Sequence, residues 1–170
     1  MRGTAMIALL AISCVLTACA GSGGGGGGGT PKPACKPPAT PTISFSSNIQ
    51  PIFTASCALA GCHVGAVPTG PVDLSVGQTY AQTVNVKSAQ QPTLKRFLPG
   101  KPDLSYIIRK IEGGPNIAGV QMPQGCPGAP LNGAKCLTPD NIAAIRQWVT
   151  ECAPNNCVTA WAASRSWRSA

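Results

Sequence analysis

The chain has 170 residues and a formal net charge of +8, with twenty glycines and seventeen prolines against only 5% aromatic residues. That leaves room for one domain of ordinary size with a thin apolar core, alongside long irregular segments. Much of the charge lies outside the candidate domain, because residues 43–157 carry eight Lys or Arg against five Asp or Glu, a net of +3. No phosphate loop, aromatic stacking platform or dense basic run points to nucleic acid.

Residues 1–18 read as an export signal: Arg2 supplies the charge and Met6 to Leu16 a short apolar run, too short to span a bilayer. Leu16-Thr17-Ala18-Cys19 resembles the lipobox of bacterial lipoproteins. That resemblance implies cleavage before Cys19 and acylation of its thiol and new amino group, which would hold the protein firmly at a membrane. Ala20, where an aspartate is absent, favours the outer membrane under the same resemblance. Residues 19–42 form a tether, a flexible glycine run over Gly21–Gly29 followed by a stiffer proline-rich spacer.

The candidate domain starts at Ile43. Ser46, Ser47 or Asn48 can cap a first helix, Pro51 suits its first turn, and Ile49, Ile52 and Phe53 fall on one face. This helix runs into Cys57-Ala58-Leu59-Ala60-Gly61-Cys62-His63, which holds the only histidine of the chain. Two cysteines followed at once by a histidine are what covalent haem attachment needs. Each thiol adds across a haem vinyl group to give a thioether, and the adjacent imidazole reaches the iron from one face. Four residues separate the cysteines where two are usual, so two must loop out, with Gly61 as the pivot. A zinc site would want four Cys or His ligands, usually as two pairs, and no second pair at that spacing exists.

Further along, Asp73-Leu74-Ser75 predicts a cap before a short helix to about Gln82. Pro99-Gly100-Lys101-Pro102-Asp103 predicts a turn, with Asp103 capping a helix from Leu104 to Ile111. Tyr106, Ile107 and Ile111 are its expected apolar face. Arg109 and Lys110 are expected in solvent, with partnership to a haem propionate open for either. Met122 is the only methionine after the signal segment and lies 59 residues beyond His63, in a Gly/Pro-rich loop instead of an apolar stripe. A thioether is a soft ligand that suits haem iron opposite an imidazole, so Met122 is the candidate distal ligand. Thr138-Pro139-Asp140 starts a last helix with Ile142, Ile145, Trp148 and Val149 as its buried stripe and Pro154 closing it. Trp148 is expected in the core, with the haem edge as a neighbour.

Ser44-Phe45-Ser46 with Ile49-Gln50-Pro51-Ile52-Phe53, Pro99-Gly100-Lys101-Pro102 before Ser105-Tyr106, Met122-Pro123, and Ile145-Arg146-Gln147-Trp148-Val149 together resemble a bacterial mono-haem c-type cytochrome domain. The resemblance spans about residues 43–156, and the wider cysteine spacing departs from it. It implies a small all-α fold of three to five helices, the first and last crossing, around one covalent haem c. It also implies Cys57 and Cys62 as thioether anchors, His63 as proximal ligand and Met122 as distal ligand.

Export would permit disulfides. Cys126 and Cys136 flank a loop beside Met122, and a bridge there would contribute about 2–3 kcal/mol in the entropic model. Cys152 and Cys157 bracket the turn after the last helix, which leaves Cys35 over or competing for Cys157. The tail over 158–170, with Trp161, Arg165, Trp167 and Arg168, is expected to be disordered, with contact to a membrane surface as the alternative. The expected function is electron transfer with a redox protein partner at the bacterial cell envelope. Two other functions stay open: haem-based binding of a small ligand after Met122 dissociates, and a haem-free, disulfide-stapled surface lipoprotein. An enzyme is not expected, since there is no second histidine and no acid–base pair near the motif.

Overall fold

Phe45, Ile49 and Phe53 recur every four residues and are all buried, and this period turns the chain helical just ahead of the cysteine motif. The structure, a computed structural model, describes residues 35–65 and 72–156. The signal segment, Cys19, the glycine run, Cys157 and the tail over 158–170 lie outside the described residues.

The first turn, Phe45–Ile49, is π-helical and leads directly into α1, Gln50–Ser56. Ile49 N–H reaches back five residues to the Ser44 carbonyl at 3.3 Å. Pro51 accounts for the wide turn: it has no N–H to give to the Ser47 carbonyl, and its ring needs that carbonyl moved aside. Ser44 caps the turn, in place of the three residues expected. Its Oγ accepts Ser47 N–H at 3.2 Å, and Asn48 Oδ1 accepts Ser44 N–H at 2.9 Å.

Helix α2 covers Thr79–Thr83, starting later than the sequence predicts, because Asp73 caps only a local turn by accepting Ser75 N–H at 2.9 Å. The next helix also starts late. Pro102–Leu104 forms a separate 3-10 turn, and α3 runs over Tyr106–Glu112. Asp103 does not cap it but pairs with Arg146. Tyr106 and Ile111 of the expected apolar face are buried, and so, fully, is Ile108, which that face left out.

Helix α4, Pro139–Thr150, follows the sequence reading closely: Thr138 and Asn141 form a reciprocal capping box, and Ile145, Trp148 and Val149 are buried. It stops before Pro154, where Cys152 and Ala153 both take left-handed backbone angles. Trp148 sits at the centre of the core, its ring 5.4 Å from Phe45 and 5.3 Å from Phe97. Its indole N–H donates to the Pro154 carbonyl at 3.0 Å. The described residues thus comprise four α-helices, with isolated bridges such as Val84–Phe97 but no strand. None of their helices is long and apolar enough to cross a membrane.

Two disulfides join described residues. Cys126–Cys136 has the expected partners. Cys152 pairs with Cys35, not with Cys157 as the local spacing suggested. The reason is that the segment before α1 returns to the end of α4. Thr42 and Ile43 N–H donate to the Glu151 carboxylate at 3.0 and 3.2 Å, the Thr42 hydroxyl also bonds it, and Phe45 N–H donates to Asn156 Oδ1 at 2.9 Å. Gly100 makes room for the bridge, because a Cβ there would stand 2.6 Å from Cys35 Sγ.

Candidate functional site

Where α1 ends, Cys57 N–H and Ala58 N–H share the Phe53 carbonyl, each at 2.8 Å. The Cys57 carbonyl then accepts both Leu59 N–H at 3.0 Å and His63 N–H at 3.2 Å. The residues between the cysteines therefore bulge outward while His63 is drawn back beside Cys57. Gly61 turns the bulge at φ +76°, and Asn132 covers it, donating to Cys62 Sγ at 3.3 Å. A hydrogen bond from Leu74 N–H to the His63 carbonyl, at 2.8 Å, fixes the far side.

Cys57, Cys62, His63 and Met122 all line one crevice, with about 1180 Å³ of space free of protein atoms when the open solvent at its mouth is included. Phe53 and Leu74 form part of its wall, with Ile107 and Ile111 of α3. No Asp or Glu is among the lining residues, while two cations are: Arg96 and Lys110. Arg109 points elsewhere, donating to the Asp103 carbonyl from Nε at 3.2 Å and from an NH2 group at 3.1 Å. Trp148 does not line the crevice either, so its expected place beside a haem edge is not found.

The chemistry of the lining decides which groups it suits. His63 Nδ1 is buried with no hydrogen-bond partner, a state that costs free energy unless something binds the nitrogen. Burial lowers the His63 pKa first; a hydrogen bond to the Val72 backbone works against this, and Lys110 and Arg96 lower it further. The ring is therefore neutral at neutral pH, the form that ligates a metal. Cys57 and Cys62 are both unpaired, whereas the other four described cysteines form disulfides. Burial, with some help from Cys62, pushes the Cys57 thiol up to about 12. Among the described residues no three His, Cys, Asp or Glu gather into a site for a bare metal ion.

No family model, curated protein or solved structure matches the chain. What the crevice can hold follows from its own side chains. A flat apolar macrocycle carrying two carboxylates fits them in kind: apolar walls, two cations and no acid among the lining residues, two free thiols, an unpartnered imidazole nitrogen and a thioether. Sequence reasoning missed Arg96, which reaches the crevice from a loop without local signature. It expected Lys110 in solvent, with a propionate partnership left open, although Lys110 lies four residues after Tyr106 and three after Ile107, the spacing of one helix face. Burial holds both cations below their ordinary pKa values.

Proposed function

We propose that the protein is a mono-haem c-type electron-transfer protein, with Cys57 and Cys62 as thioether anchors and His63 and Met122 as axial ligands. One observation carries the reading: four side chains singled out for four different bonds to the same group line one acid-free, apolar crevice. When bound, haem would supply reversible one-electron chemistry at its iron. The rest is the work of the chain. Cys57 and Cys62 would hold the group covalently, so it would not be lost when its affinity changes with oxidation state. His63 offers a nitrogen that burial keeps unprotonated. Met122 offers a soft sulfur, which favours the reduced metal. Phe53, Leu74, Ile107 and Ile111 exclude water, and Arg96 and Lys110 offset two carboxylates that would be costly to bury alone. Held by both His63 and Met122, the group would leave no place for a substrate, which suits a carrier.

The resemblance of Leu16-Thr17-Ala18-Cys19 to a lipobox extends the proposal to the cell envelope. Cys19 would be the lipid anchor, at the outer membrane, and the tether would let the domain reach a redox protein partner. Mass spectrometry of mature protein from a host with haem-attachment machinery tests both parts. One haem on the peptide containing Cys57 and Cys62 and acyl groups on Cys19 are expected, with sharp haem c bands on reduction. Free thiols at both cysteines and no Soret absorbance would overturn the reading. The oxidised protein should show a thioether–iron band that vanishes in Met122→Ala; its persistence would overturn the distal role of Met122 alone.

A further inference from the structure

Lys110 is the odd member of the crevice wall. It is a lysine on the inner face of α3, 7% exposed, and residues of this type are rarely buried without a partner. Its side-chain partners are backbone carbonyls of a single loop. Nζ donates to the Ala118 carbonyl and, at 2.6 Å, to the Val120 carbonyl. The Lys110 carbonyl in turn accepts Met122 N–H at 2.9 Å. One residue thus grips segment 118–122 at three points, and the last of them is Met122 itself. Two neighbours on α3 extend the grip: the Tyr106 hydroxyl accepts Ala118 N–H at 3.0 Å, and Gln121 Nε2 donates to the Ile111 carbonyl at 2.8 Å.

We propose that Lys110 is the positioning residue for Met122, with its buried ammonium strapping the 118–122 loop to α3 so that the thioether is held at the crevice before it binds. The proposal rests on the haem reading above. A bond between thioether sulfur and iron is soft, so its survival depends on how much freedom the loop would regain when the bond opens. A loop already ordered by charge-assisted hydrogen bonds regains little, and the sulfur returns at high effective concentration. An ordinary apolar residue would seal the wall equally well but would leave the Ala118 and Val120 carbonyls unbound.

The test compares haem-loaded full-length parent, Lys110→Met and, as a control remote from the crevice, Arg109→Gln. Imidazole is titrated into the oxidised protein, and loss of the thioether–iron band is followed. Lys110→Met is expected to yield the band at an imidazole concentration at least about tenfold lower than the parent, since both hydrogen bonds from the charged Nζ are lost. Amide hydrogen exchange at Val120 to Met122 should accelerate by a similar factor, while Arg109→Gln matches the parent on both readouts. Should Lys110→Met fail to fold, Lys110→Gln, which keeps donors without the charge, decides by the same two measurements. Imidazole sensitivity and exchange equal to the parent in a folded Lys110 variant would overturn the clamp and leave the haem reading standing. A parent with no haem and no thioether–iron band would overturn the function, and the positioning role with it, even where exchange still reports a strapped loop.

Discussion

Cys57 and Cys62 sit five positions apart in the chain but in different surroundings, and that difference is testable. Cys57 closes α1 and is buried, with its thiol pushed up to about 12. Cys62 is partly exposed on the outward bulge. A thiolate is the reactive form, so in haem-free protein at pH 8 iodoacetamide should label Cys62 at least about tenfold faster than Cys57. Peptide mapping after a timed quench reads the ratio, and equal rates would refute the burial of Cys57. A linked effect follows from the direction of the shift. A thiol with a raised folded pKa stabilises the protein below its ordinary value near 9, and that contribution is lost as the pH climbs toward 12. Haem-free protein should therefore lose stability above pH 9, and Cys57→Ala should flatten the slope. Under the proposed haem attachment both sulfurs would be thioethers, and neither the labelling nor the slope would appear.

Among the helices, α3, which lines the crevice, and α4, which does not, were legible to different degrees. Helix α4 could be read almost to the residue because Thr138, Pro139, Asp140 and the stripe at Ile145, Trp148 and Val149 are all local signals, and tertiary packing agrees with each. The cap carries a prediction: Thr138→Ala removes the acceptor of Asn141 N–H, a bond of 3.2 Å, and should cost about 1 kcal/mol in a denaturant titration. Helix α3 was misread at its start because Ser105 has another task. Its hydroxyl accepts Leu98 N–H at 2.8 Å and donates to the Lys101 carbonyl at 2.9 Å. The Ser105 side chain thus serves the preceding turn and leaves α3 with no side-chain cap. Two apolar neighbours of α3 then divide the labour, Ile108 facing the core and Ile107 the crevice. A one-face periodicity cannot express a helix packed on both sides. For the same reason Cys57, Cys62, His63 and Met122 were legible as types at spacings, while Arg96 and the inward turn of Lys110 depended on where loops and helices meet.

At the scale of the whole molecule, the ends of the described fold are knotted together at Glu151, and this knot governs behaviour in acid. Burial alone would raise the Glu151 carboxyl. Hydrogen bonds from the Thr42 and Gln147 side chains and from Ile43 and Thr42 N–H outweigh it, and the net pKa lies below the ordinary 4.5. Folding therefore favours the ionised form: the stabilisation is present above pH 4.5 and is lost as the pH falls through the lower folded value. The Cys35–Cys152 bridge beside it spans 117 positions, so in the entropic account it contributes about 5 kcal/mol, against about 3 kcal/mol for the short Cys126–Cys136 loop. The two devices hold the same joint and should not be additive, since each limits the freedom the other would otherwise remove. Glu151→Gln is expected to lower the melting temperature at pH 7 by several degrees, the effect of about 1–3 kcal/mol lost from a buried charged acceptor. Melting curves of parent and variant should converge as the pH drops well below 4.5, where the parent's carboxylate is protonated too. Repeating the comparison in Cys35→Ser/Cys152→Ser protein should enlarge the cost of Glu151→Gln, because hydrogen bonds at Glu151 and Asn156 then fasten the segment before α1 to the end of α4 without a covalent bridge. An unchanged cost would mean that the bridge and the carboxylate hold separate joints.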